Sequence, residues 1–195
     1  MELFKPSKKV LETICGRQTP TILYEIYPRP KTSLMREKQT HLFVSGLSAK
    51  LCEFYRINLN DETRKQLGIQ QVWEVSGEML KNCFDHGPKN KDIFFGLFLG
   101  NKGICYGFQD GGDYFKSDKI KYQYENKIEI TDFDRSTLRA NCQSGVNDFI
   151  YHFADRIEVD AEKGILYCVQ LKETIIAPEG EKGSVYCDRL RYREK

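Results

Sequence analysis

The sequence predicts an α+β domain, a two-layer α/β sandwich whose mixed, mostly antiparallel sheet is covered on one face by helices. Three observations carry that expectation. Two pairs of apolar segments, 93–99 with 104–108 and 156–160 with 165–171, are each joined by a four-residue turn containing glycine, the pattern of a β-hairpin. Ahead of the first hairpin, apolar residues recur at the three- and four-residue spacing of half-buried helices. The order of helices, hairpin, loop, helix and hairpin then favours helices stacked on an antiparallel sheet.

Taken in order, residues 21–27 (TILYEIY) follow Pro20 and are rich in β-branched and aromatic types, so they read as a strand that Pro28 and Pro30 stop. Residues 33–55 carry Leu42, Val44, Leu47, Leu51 and Phe54 at helical spacing, with Gly46 as the one weak point. Asn60 or Asp61 caps a second helical region that runs past a break near Gly68 to His86, and Gly87-Pro88 ends it. After the first hairpin comes a polar stretch from Asp110 to Ser144, predicted to be irregular or mobile apart from a short strand at 127–130. A helix over 146–155 leads into the second hairpin, and the charged tail adds one strand at 184–189. The expected organisation is an extension with one strand over 1–31, the main domain over 32–172, and a charged tail over 173–195.

Bulk composition removes several classes of function. With 195 residues, 40% hydrophobic, the chain builds one core. Lys plus Arg number 30 against 28 Asp plus Glu, so the excess basicity of a nucleic-acid-binding domain is missing. Seven cysteines, an odd number without a CxxC pair, match neither a disulfide framework nor a zinc site and point to a reducing compartment. No apolar run approaches the ~20 residues of a membrane span, and the Lys-rich start lacks a signal peptide's apolar stretch. A cytoplasmic protein with no nucleic-acid or membrane partner is the expectation.

The residues that carry chemistry lie in EVSGEMLKNCFDHG. Glu78, Asn82 and His86 fall at i, i+4 and i+8, and at about 100° per residue they trace a line from 0° to about 80°. Val75, Met79, Val72 and Cys83 fall at roughly 60–140° on the same scale. The polar line therefore follows the border of the buried stripe, where a carboxylate and an amide face a semi-enclosed space. Asp110 follows the strand 104–108 and precedes Gly111 and Gly112. A carboxylate there can accept a hydrogen bond from an exocyclic amine while glycine lets the backbone approach a planar ligand. His41 and His152 have no sequence neighbours that make a site, and Trp73 reads as packing. Tyr122 and Tyr124 among lysines read equally as stacking residues or as part of a nucleotide lid.

This pattern resembles the Bergerat-fold ATPases, the histidine-kinase-like and gyrase-like superfamily, and within it most closely the anti-sigma-factor-type serine kinases. The likeness covers roughly residues 32–172. It implies that Glu78 is the general base, that Asn82 holds Mg²⁺, and that His86-Gly87 closes the same box. It further implies that Asp110 and Gly112 bind adenine and that Ser144 and Gly145 cradle phosphate. The implied cofactors are ATP and Mg²⁺. The implied function is an ATPase domain that regulates a protein partner by phosphorylating Ser or Thr, with ATP/ADP bound and a homodimer open. Two departures keep a second reading alive. Tyr114 stands where the adenine box carries its second glycine, and the glycine-rich phosphate box is reduced to Ser144-Gly145 with Asp148 close behind. That alternative is a non-catalytic protein-interaction module with a degenerate nucleotide site.

Overall fold

A computed structural model describes residues 4–56, 69–126, 150 and 154–175. The expected features at 60–61, 127–130 and 184–189, most of the helix at 146–155, and the candidate residues Ser144, Gly145, Asp148 and His152 lie outside these residues, as does the side chain of Trp73.

Among the described residues five strands form one sheet: β1 (Thr21–Tyr27), β2 (Ile93–Leu99), β3 (Gly103–Gln109), β4 (Arg156–Asp160) and β5 (Ile165–Leu171). Their order is β1-β2-β3-β5-β4, and each of the four pairings is antiparallel. Side chains alternate across the pleat. Ile93, Phe95, Leu97 and Leu99 of β2 therefore face one way with Ile104, Tyr106 and Phe108 of β3, and the registers Leu97↔Tyr106 and Tyr106↔Cys168 carry that face across the sheet. Two helices cover it: α2 (Ser33–Tyr55) and α3 (Ile69–His86). Phe43 of α2 sits at the centre, edge-on to Phe95 at 4.9 Å and to Phe108 at 5.6 Å. Truncating such a residue to alanine costs about 3–5 kcal/mol.

The helix α2 starts at Thr32, whose Oγ1 accepts from the Met35 amide at 3.2 Å. It runs unbroken through Gly46, where an added Cβ would meet nothing within 4 Å. Lys50 of α2 pairs with Glu25 of β1, tying the helix to the sheet edge.

The second face of the sheet is also covered, and by the segment read from sequence as a simple extension. Residues Lys8–Cys15 form a helix, α1, capped by Ser7. Val10 and Ile14 of α1, with Phe4, pack on Phe98, Cys105, Tyr167 and Val169. The near-continuous apolar runs of β2 and β5 explain the need, because a sheet apolar on both faces must be covered on both. Gly96 and Gly107, paired across β2 and β3, make the space: a Cβ at Gly96 would lie 2.8 Å from the Phe4 ring and one at Gly107 2.8 Å from the Tyr167 ring. The end of α1 is fastened to the first hairpin, where the Ile14 carbonyl accepts from the Lys102 amide at 2.8 Å. A Cβ on Gly100 would lie 2.2 Å from that same carbonyl oxygen. Gly100→Ala is expected to lower stability in chemical denaturation by about 1–3 kcal/mol, whereas the exposed neighbour Asn101 tolerates alanine within about 0.5 kcal/mol.

The polar stretch after Asp110 is not irregular throughout. Tyr114–Lys116 form a 3₁₀ turn and Asp118–Glu125 a helix, α4. Tyr124 is buried in it, and Glu125 accepts from the Val159 amide at 3.0 Å. The helix thereby occupies a backbone donor of the edge strand β4, which is how exposed sheet edges are commonly blunted. A last short helix, α5 (Lys172–Ile175), closes the described chain.

Candidate functional site

The helix α3 presents the candidate residues as its sequence period requires. Val72, Val75 and Met79 are buried, Glu78 and Asn82 are half-buried, and His86 at the last turn is exposed. Gly77 lies against α2, where a Cβ would come within 3.1 Å of Val44, so the two helices pack closely beside the polar line. Glu78 is held by its own helix: the Lys81 ammonium pairs with Oε1 at 2.5 Å, an i,i+3 contact. The Asn82 amide nitrogen donates to the Glu78 carbonyl at 3.1 Å. Its Oδ1 is the atom a hard cation would use.

The far end of α3 runs directly into the loop after β3. A Cβ placed on Gly87 would lie 2.4 Å from Asp110 Oδ2, 2.2 Å from Arg29 Nη2 and 2.8 Å from the Cys83 carbonyl. Only a glycine lets this backbone pass. Asp110 is oriented by its own turn, with Oδ1 accepting from the Gly112 amide at 2.8 Å while Gly111 takes a positive φ of 76°. That leaves Oδ2 as the oxygen on the Gly87 side. The turn of the second hairpin supports the loop from behind. A Cβ on Gly164 would approach the Gly112 carbonyl to 3.0 Å, and Gln109 donates to the Lys163 carbonyl at 3.3 Å.

The structure thus brings Asp110, Gly112 and the His86-Gly87 end of α3 together. Asn82 and Glu78 follow along the same helix, and at 1.5 Å per residue Glu78 stands about 12 Å up the axis from His86. Glu78 and Asn82 are joined one turn apart by the hydrogen bond from the Asn82 amide, and Asp110 stands at the C-terminal end of the same helix. Cys83 lies beside the junction. Burial raises its thiol well above the ordinary range, the nearby Asp110 charge raises it further, and Arg29 opposes both. A thiol so placed stays protonated and is not a nucleophile at neutral pH.

Arg29 and the Lys81 ion pair escaped the sequence reading. Arg29, beyond β1, reaches into the junction; no local pattern marks it. Lys81 at i+3 from Glu78 was legible as a helix-surface ion pair. Tyr114, singled out in the sequence, is committed to an aromatic cluster, edge-on to Phe115 at 5.0 Å and to Tyr124 at 6.4 Å. Tyr124 is 3% exposed and so is not a stacking surface, whereas Tyr122 at 63% is open.

The Glu78 carboxylate, engaged by Lys81, and the Asn82 amide oxygen lie one turn apart on α3. Among the described residues no group of three or more His, Cys, Asp or Glu could hold a metal ion by itself. The Asn82 amide oxygen is a ligand that Mg²⁺ would accept if phosphates and water completed its shell. No helix of the described residues is long and apolar enough to cross a membrane. No protein-family model matches the chain, and no curated protein matches it.

Proposed function

We propose that this chain is an ATP- and Mg²⁺-binding domain of the histidine-kinase-like ATPase type, which regulates a protein partner by phosphorylating a Ser or Thr hydroxyl. One observation carries the reading most: Gly87, at the end of the helix bearing Glu78 and Asn82, is packed without room for a side chain against Asp110. Two stretches singled out in the sequence meet at that glycine.

In this reading Asp110 Oδ2 accepts a hydrogen bond from the adenine amine, and Gly112 gives the base room. Asn82 Oδ1 with the phosphates holds Mg²⁺, which when bound neutralises charge on the phosphate oxygens. Glu78 takes the proton of the acceptor hydroxyl as its oxygen bonds to the γ-phosphorus and the bond to the bridging oxygen of ADP breaks. The products are ADP and the phosphorylated partner. The odd number of cysteines without a CxxC pair supports placing this activity in the cytoplasm.

A second reading, an interaction module that binds nucleotide without turnover, is favoured by Tyr114, whose ring belongs to the cluster beside the loop. A thermal-shift series with ADP and ATP, each with and without Mg²⁺, tests the shared part of both, since a ligand bound only by the native state must raise its stability. Asp110→Asn should weaken adenine nucleotides by roughly tenfold or more, the scale of one hydrogen bond to a charged group. Asn82→Ala should leave binding without Mg²⁺ unchanged and remove the increment that Mg²⁺ adds. No shift with either nucleotide at millimolar concentration would refute the nucleotide site.

A further inference from the structure

We infer that Arg29 is a positioning residue of this site, fixing Asp110 against the end of α3; the inference rests on the nucleotide-binding reading above. Arg29 lies between Pro28 and Pro30. A residue before proline is confined to extended backbone and proline itself has a fixed φ, so the side chain departs from a stiff segment. Its guanidinium then donates to four carbonyls on three separate segments. Nη1 reaches the Cys83 and Phe84 carbonyls, the latter at 3.2 Å, Nε reaches the Lys91 carbonyl at 2.9 Å, and Nη2 reaches the Asp110 carbonyl at 3.5 Å.

The physics of each contact points the same way. The last carbonyls of a helix attract cations, and Cys83 and Phe84 stand in the final turn of α3, the Cys83 carbonyl also accepting from the Gly87 amide at 3.2 Å. A planar fork with donors in fixed directions can hold several acceptors in one geometry, which an ammonium cannot. The contact with Asp110 is to its backbone carbonyl, while the Gly112 amide takes carboxylate Oδ1. Arg29 therefore sets where Asp110 stands through its backbone. Gly87, squeezed between Arg29 Nη2 and Asp110 Oδ2, fixes the spacing of the two. A loss of about 1 Å in that placement would separate the adenine-reading carboxylate from the helix that carries Asn82 and Glu78.

The test uses the full chain with Arg29→Met, Arg29→Lys and Arg29→Ala, at a temperature where circular dichroism shows each folded. Amide exchange by NMR at Gly87 and Gly112 reads the geometry without any nucleotide, and calorimetry reads ADP. Arg29→Met should accelerate exchange at both glycines and raise the Kd for ADP at least tenfold. Arg29→Lys should recover only part of the affinity. Added ethylguanidinium should strengthen ADP binding to Arg29→Ala and leave the wild type unaffected, a rescue that a loss of general stability would not give. If Arg29→Met binds ADP like the wild type while its Tm falls, Arg29 is a structural staple only and the proposal is overturned. If the wild type itself fails to bind ADP, the nucleotide reading falls. Glycine exchange then decides the role of Arg29, and unchanged protection in Arg29→Met would sink it. Should Arg29→Met not fold, Arg29→Lys is subjected to the same measurements, with a several-fold rise in Kd expected and a wild-type value overturning the assignment.

Discussion

Gly87→Ala will abolish tight adenine-nucleotide binding, weakening it by about 100-fold, or about 2.7 kcal/mol. The new methyl carbon would stand 2.2 Å from Arg29 Nη2, 2.4 Å from Asp110 Oδ2 and 2.8 Å from the Cys83 carbonyl. None of the three neighbours retreats easily. The carbonyl is helix backbone, Asp110 is held through Oδ1 by the Gly112 amide, and Arg29 is engaged with four carbonyls. The cheapest response is to swing the Asp110 loop away from α3, which disassembles the site. Gly46→Ala is the matching control. Its Cβ would enter open space in the middle of α2, so it should stabilise the protein by about 0.5–1 kcal/mol and leave binding untouched. Calorimetry with ADP on both variants checks the pair. Wild-type affinity in Gly87→Ala would mean that nucleotide, if bound, does not use this junction.

Glu78→Ala should lower turnover by about 10²–10⁴-fold, the usual contribution of a positioned general base, while ADP affinity stays within about threefold. A base acts on the transition state and adds little to ground-state binding. The Lys81 ion pair does not contradict this role. Its partners are 45% and 34% exposed, and such i,i+3 pairs contribute only about 0.2–0.5 kcal/mol. Single-turnover hydrolysis, and phosphate transfer to candidate partner proteins, are the measurements. A wild-type protein that binds ATP without any turnover would leave the interaction module standing, and Glu78→Ala would then change nothing measurable.

Much of the architecture was legible because it is locally encoded. The bounds of β1, β2, β4, β5 and α2 follow from the sequence period and from glycine and proline punctuation. The helix α1 was equally encoded, by Ser7 as its cap and by Val10, Leu11 and Ile14 on one face, yet a short Lys-rich segment gave too weak a signal to separate from a tail. The helix α4 was harder still. Its eight residues hold charged and polar types around Ile120 and Tyr124, and a helix of that length is marginal without tertiary contacts. What stabilises it is burial of Tyr124 and the bond from the Val159 amide to Glu125, neither of which exists until the sheet has formed.

The candidate site divides along the same line. By itself the sequence determined that Glu78, Asn82 and His86 share one border of a helix and that Asp110 follows a strand and precedes two glycines, because both facts depend on backbone periods of a few residues. Only the tertiary structure decided that these pieces meet, that Gly87 is the point of contact, and that Arg29 holds them. Arg29 finds its carbonyl partners 54, 55, 62 and 81 residues away. Such contacts are set by how α3 docks on the sheet and where β1 ends, and side-chain periodicity carries no record of either.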